Sequence, residues 1–328
     1  MSANSTTTTV NGGVDPNLWK YLVYIVEGGV TVLGNVPIFL TVFYHRALRW
    51  QKVYIVIAFL ALADALNGFC YFKAGQYRTL LVINGEQNDL VVSWTCMMTM
   101  HNMIWVFVEP LAALMLLVVS IDRLISTLFP LEYVSLDTNY AYWLCGGAYG
   151  YCFFTGSAGY LFSYLEGEDK TYRKVCFTSY AVGRLYYGFY GYSRILFGIS
   201  SVLVYVALVA VFLRKQRQQQ PTTTIVRAAE KPGQQDQMKF QRDFTLSLGI
   251  SCLFTLLLFV LPNSFANTVA LLGLKGPLAV SVPLYGWILA NLNPILNLFI
   301  YLLRHREIKV GMAALFQLKS LPVDTKMW

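Results

Sequence analysis

The stretch that decides the architecture is WTCMMTMHNMIWVFVEPLAALMLLVVSIDRLISTL, residues 94–128. A helix needs roughly 20 mostly apolar residues to cross a bilayer, and this run has length to spare. Its middle carries one carboxylate, Glu109, followed by Pro110, and it ends on Asp122-Arg123. An ionisable side chain at membrane depth is costly and faces a protein interior rather than lipid. The run therefore predicts a spanning helix placed inside a bundle.

Six further runs of the same kind lie outward from it. They cover about Tyr21–Tyr44, Val53–Phe72, Tyr142–Tyr164, Tyr186–Leu213, Phe244–Leu272 and Leu278–Leu303. The fourth span, Tyr142–Tyr164, is rich in glycine and tyrosine, and glycine is common in membrane helices. Only 13% of the 328 residues are charged, about half the share usual in soluble domains. The net charge of +8 does not point to nucleic acid, because the charges sit between apolar runs and not along one soluble face.

The basic residues set the expected orientation. Arg46, Arg49 and Lys52 fall between the first two spans. Arg214, Lys215, Arg217, Arg227, Lys231, Lys239 and Arg242 follow the fifth, and Arg304, Arg306, Lys309, Lys319 and Lys326 follow the seventh. An excess of Lys and Arg marks cytoplasmic loops. The N-terminus, residues 1–20, is thus expected outside, where Asn4 of Asn4-Ser5-Thr6 is a candidate for glycosylation. That segment has no basic start and no apolar core of a cleaved signal. Residues 21–303 form the spanning domain. Within it the polar segment 214–243, with QRQQQPTTT and KPGQQDQ, reads as a flexible inner loop. In 304–328, RHREIKVGMAALFQL places Ile308, Met312 and Leu315/Phe316 at helical spacing among basic residues, as in an amphipathic helix on the inner membrane surface.

Polar residues inside the spans are the candidate functional groups. Asn35, Asp64 and Asn293 read either as a buried network that holds two packings of the bundle or as static interhelical hydrogen bonds. Asp122-Arg123 reads either as interface snorkelling or as a pair that can open to another partner. Pro262 and Pro294 each remove a backbone hydrogen bond and kink their helices. Glu109 faces a cavity or a neighbouring helix, with Arg194 as a candidate partner. Four of the six cysteines lie in apolar runs. Cys96 and Cys176 lie in polar connections, and no Cys or His spacing suggests a metal.

In this order and spacing the residues resemble the rhodopsin-like G-protein-coupled receptors, over nearly the whole chain from Tyr21 to Leu318. The resemblance rests on Gly34-Asn35, Leu60–Asp64 (LALAD), Cys96, Asp122-Arg123 with FPLEY, Trp143, Cys176 and Asn293-Pro294. It implies an all-α seven-helix bundle with a disulfide between Cys96 and Cys176. It also implies a buried polar core of Asn35, Asp64 and Asn293, a helix-six hinge at Pro262, and Arg123 as the switch that meets the G protein, supported by Tyr205. Departures mark a divergent branch. Leu124 follows Asp122-Arg123. Asn297 stands where the family has the tyrosine of its helix-seven motif, and Phe259-Val260-Leu261-Pro262 lacks the family's tryptophan. Cys96 precedes Arg123 by 27 residues, slightly more than is usual. Ala112 and Ala290 occupy positions where the family's sodium site has serines. SIDRLISTLFPLEY and NPILNLFIYLLRHREIK are similar to nematode chemosensory serpentine receptors.

The resemblance implies a receptor at the plasma membrane, or a sensory cilium, that binds an extracellular chemosensory small molecule or neuropeptide. The ligand is expected among Trp105, Glu109, Phe189, Ser193, Asn263, Asn267 and Trp287, and the partners are a heterotrimeric G protein and membrane lipid. No cofactor or metal is expected. A small-solute transporter is the rival reading, but no internal repeat supports it. His45, His101 and His305 have no catalytic spacing, so an enzyme is not expected.

Overall fold

The computed structural model describes residues 18–165, 171–219, 250, 253–265, 277–304 and 306–317. Asn4, Asn267, most of the 214–243 loop and the last residues of the tail lie outside the described residues, as does the side chain of Trp287.

The elements follow the apolar runs. Helix α1 spans Leu18–Tyr44, the short α2 Arg46–Arg49, and α3 Lys52–Asn84. A short strand β1 (Leu90–Val92) leads into α4 (Ser93–Met97) and α5 (Met100–Leu128). Then come α6 (Pro130–Ser135), α7 (Asn139–Leu165), β2 (Thr171–Arg173), α8 (Thr178–Ala181) and α9 (Arg184–Gln219). Helix α10 covers 253–265 and includes a π-helical segment, Thr255–Val260. Helix α11 spans Pro277–Arg304, and α12 Arg306–Phe316. Among the described residues four helices are long and apolar enough to cross a membrane by themselves, namely α1, α3, α5 and Tyr186–Arg214 of α9. The helical bundle expected from the sequence is the fold that forms.

The packing order makes a closed ring. Helix α1 lies against α3 and α11; α5 sits centrally against α3, α7 and α9; α10 packs on α9 and α11. The main core lies around Met115, Val119, Leu60 and Tyr54. Close approach of α1 and α3 depends on small residues, as in other membrane bundles. A Cβ on Gly28 would stand 2.5 Å from the carbonyl oxygen of Gly68 and 2.5 Å from the backbone nitrogen of Phe72. Trp143 is 80% exposed on the outer face of α7.

Two sequence expectations change in detail. The second span runs on past Phe72 to Asn84, ending on Gly85 with φ 73°, the left-handed stop that glycine permits. The third run is not one helix. Cys96 belongs to α4, the chain turns at Met98–Thr99, and α5 restarts at Met100. Thr99 Oγ1 and Asn102 Nδ2 both donate to the Cys96 carbonyl, at 2.7 and 3.0 Å, and fix that turn. The long spacing from Cys96 to Arg123 is absorbed there.

At this end the disulfide Cys96–Cys176 is present, with a Cα–Cα distance of 5.0 Å. Strands β1 and β2 pair antiparallel beside it, Val91 opposite Tyr172. The Lys174 ammonium holds Glu86 at 2.5 Å, and that hydrogen bond raises its proton affinity. At the opposite end α12 lies back against α1. His45 Nε2 bonds to the Gly311 carbonyl at 2.9 Å, and Tyr54 Oη donates to Glu307 at 3.1 Å. Ile308 is fully buried there, the apolar face that the helical spacing predicts.

Candidate functional site

The central helix α5 carries two acid–arginine pairs. The upper one begins at Glu109, one residue before Pro110. Its carboxylate pairs with Arg194 of α9 and accepts a hydrogen bond from Tyr190 Oη, also on α9. Arg194 Nη2 donates to Asn263 Oδ1 on α10 at 2.7 Å, and Asn263 Nδ2 donates to the Phe259 carbonyl at 2.7 Å. The guanidinium also stands over the Phe259 ring, 5.5 Å from its centroid. One arginine thus joins three helices. Both charged side chains are largely buried, 13% and 9% exposed, and a buried charge of this kind requires a close partner.

Beneath and beside this pair is a cavity of about 30 Å³, room for one or two water molecules. Its polar wall is Asp64, Asn67, Glu109, Arg194, Asn263 and Asn293; its apolar wall includes Tyr71, Leu116 and Phe259. Ala112 and Ala290 line it as well. On this wall Asp64 Oδ2 and Arg194 Nε have no hydrogen-bond partner among the described residues, and elsewhere in the bundle neither do Asn35 Oδ1 and both amide atoms of Asn297. Asn35 Nδ2 turns back to the Thr31 carbonyl at 3.0 Å, and Thr255 Oγ1 donates to Asn293 Oδ1 at 3.3 Å. Asn35, Asp64 and Asn293 are all buried, and Asp64 and Asn293 share the cavity wall.

The other residues named from the sequence divide. Trp105 is buried on α5, its Nε1 donating to Asn67 Oδ1 at 3.0 Å and its ring packed edge-on to Tyr71. Ser193 Oγ donates to the Tyr190 carbonyl at 2.9 Å. Phe189 is 51% exposed beside Tyr186, outside the cavity wall; Tyr190 takes the inward place. Pro262 lies two residues beyond the π segment of α10, and its neighbour across the interface is Gly286 of α11. Pro294 reaches the cavity wall from α11. Tyr205 is partly buried against the main core.

Three of the buried polar groups not singled out in the sequence bear on this architecture. Glu27 of α1 accepts from Asn291 Nδ2 of α11 at 3.2 Å; a carboxylate in the middle of YIVEGGV was the signal. Asn67, one helical turn after Asp64, holds Trp105. Arg78 is fully buried and donates to the carbonyls of Val175 and Cys176 at 3.0 and 3.3 Å.

The lower pair on α5 is Asp122-Arg123. Arg123 Nε donates to Asp122 Oδ2 at 2.9 Å and Nη2 donates to Tyr133 Oη at 2.7 Å; Tyr133 Oη donates in turn to Asp122 Oδ1 at 3.1 Å. Burial pushes the Tyr133 phenol above its usual range. Lys52 Nζ lies over the Tyr133 ring, 4.6 Å from its centroid, and donates to the Leu136 carbonyl at 2.6 Å. Tyr133 sits on α6, so this short helix is held against the end of α5.

The helical bundle agrees with one family model. Residues 29–316 match the serpentine type 7TM GPCR chemoreceptor Srsx. The chain belongs to this family. None of the curated proteins matches it. Membership makes the chain a multi-pass membrane protein of the seven-helix chemoreceptor type, in a family of receptors and not of enzymes. The divergent helix-six and helix-seven motifs read from the sequence therefore belong to a chemoreceptor branch of the larger class.

Proposed function

We propose that the protein is a receptor that converts binding of an extracellular ligand into activation of a heterotrimeric G protein. The observation that carries this reading is Arg194, which ties α5, α9 and α10 together at the wall of a buried cavity. A ligand entering between these helices works against the Arg194–Asn263 link and favours a state in which α10 stands off. It shifts the population by its differential affinity for the two states. Helix α10 turns about Pro262, whose π-helical segment below it is the kind of irregularity found at moving sites. Arg123 then leaves Asp122 and Tyr133 for the G protein. The orientation puts the disulfide outside and Arg123 in the cytoplasm, as the basic loops favour, with Asn4 glycosylated. The site is the plasma membrane of a sensory cell, at its cilium.

The test is G-protein dissociation in cells, with surface expression measured in parallel. Ligand-dependent or basal dissociation that falls to background in Arg123→Ala, at unchanged surface level, supports the reading. Equal signal in both proteins removes the role given to Arg123.

A further inference from the structure

The lining of the cavity restricts the chemistry of what enters it. Arg194 has five N–H donors. Glu109 holds one end of the guanidinium and Asn263 Oδ1 accepts from Nη2 at 2.7 Å. Nε has no partner among the described residues, although the side chain is only 9% exposed and lines the cavity. A buried charged donor left unsatisfied is costly, so an occupant that supplies an acceptor gains that energy.

Charge narrows the class further. The charged residues on the cavity wall are Asp64, Glu109 and Arg194, two acids and one base. Glu109 already matches the arginine. A carboxylate ligand would add a negative charge with no cation left to meet it, in a medium where isolated ions are strongly penalised. An ammonium ligand has only donors; Asp64 Oδ2 is free to accept from it, but it leaves Nε unsatisfied and repels the guanidinium. The rest of the wall, Tyr71, Ala113, Leu116 and Phe259, is hydrocarbon and aromatic. We infer that this cavity takes a small uncharged carbonyl compound, an aliphatic ketone, aldehyde or ester, whose oxygen accepts from Arg194 Nε while its hydrocarbon part packs on Phe259 and Leu116. The inference rests on the receptor reading of the same site. It also ties binding to motion: about 30 Å³ holds water but no carbon chain, so occupancy must part the helices that wall the cavity, α10 among them.

The experiment measures the thermal unfolding midpoint of the full chain in lipid nanodiscs. The probes are three matched series from three to nine carbons: 2-alkanones, n-alkanoates and n-alkylamines. The expected result is a raised midpoint with 2-alkanones of some chain length and none with alkanoates or alkylamines. In Glu109→Gln the arginine loses its counter-charge, and alkanoates become the preferred probes. In Arg194→Lys the cation remains but the Nε donor is gone, and the ketone binds about tenfold or more weakly. This second variant keeps the ion pair and so decides the matter even where Glu109→Gln does not fold. No stabilisation by any ketone, a preference for acids or amines in the wild type, or unweakened ketone binding in Arg194→Lys overturns the inference. Absent ketone binding in a protein that still drives Arg123-dependent G-protein dissociation removes the ligand class and leaves the receptor reading. Ketone binding with no G-protein response in either protein does the reverse.

Discussion

Helix α5 carries two buried acid–arginine pairs, each with a tyrosine, and they are built differently. Asp122 and Arg123 are neighbours in sequence, and Tyr133 follows on the short helix just beyond. Glu109 has its arginine and tyrosine on α9, and its arginine is fastened to α10. The two acids are separated by 13 residues, about 20 Å along a helix. The lower pair can open by rotating side chains, at little cost to the bundle. The upper pair cannot open unless a helix moves. A pair that spans helices holds an arrangement of the bundle; in the proposed mechanism a pair within one segment reports on it.

That contrast is broken most directly at Glu109. Glu109→Gln leaves Arg194 as a buried charge with no counter-ion, and breaking such a pair costs about 3–5 kcal/mol. The expected outcome is a large drop in the unfolding midpoint in nanodiscs and reduced surface expression. The double variant Glu109→Leu with Arg194→Met replaces both charges by apolar groups and recovers most of that loss. If the double variant is as unstable as the single one, the helices are held by something other than this pair.

The double variant also bears on how much of the site was legible. Glu109 and Arg194 stood out as ionisable residues in apolar runs, and lone charges at membrane depth seek one another, so the pairing could be read before any coordinates. The disulfide was legible through the resemblance. The exposure of Phe189 was not legible, because YYGFYGYS carries aromatic side chains on all sides of a helix, which erases the periodicity that would separate inside from outside. Arg78 was passed over because FKAGQYRT is polar enough to look like a loop. The helix continues there because Arg78 meets the carbonyls of Val175 and Cys176, which lie 97 and 98 residues further on. No local signal announces such a partner. Glu27 is a different omission, since its isolation in an apolar run was visible and its partner Asn291 is a turn of sequence ahead of Pro294.

Asn297 sharpens the contrast from the middle of the molecule. It is 1% exposed, and neither amide atom has a partner among the described residues. Replacing an unsatisfied buried amide by an apolar group of similar size removes a cost of about 1–3 kcal/mol. Asn297→Leu is expected to raise the unfolding midpoint. If a second arrangement of the bundle supplies the missing partners, the same variant lowers G-protein dissociation. Higher stability with undiminished signalling would mean that Asn297 gains no partner on activation.

The smallest effect belongs to the lower pair. Tyr133→Phe removes the hydroxyl that accepts from Arg123 and donates to Asp122. Single hydrogen bonds in membrane bundles are worth about 0.6 kcal/mol and at most about 1.7, so the unfolding midpoint should barely change. Arg123 nevertheless loses its hydrogen bond to the Tyr133 hydroxyl, and about 1 kcal/mol is a fivefold shift in a two-state equilibrium. Basal G-protein dissociation is expected to rise severalfold while stability stays level. Glu109→Gln should show the opposite balance, a large loss of stability. A Tyr133→Phe protein that is as unstable as Glu109→Gln would erase the distinction, because the hydroxyl would then be holding α6 and the bundle together and not gating Arg123.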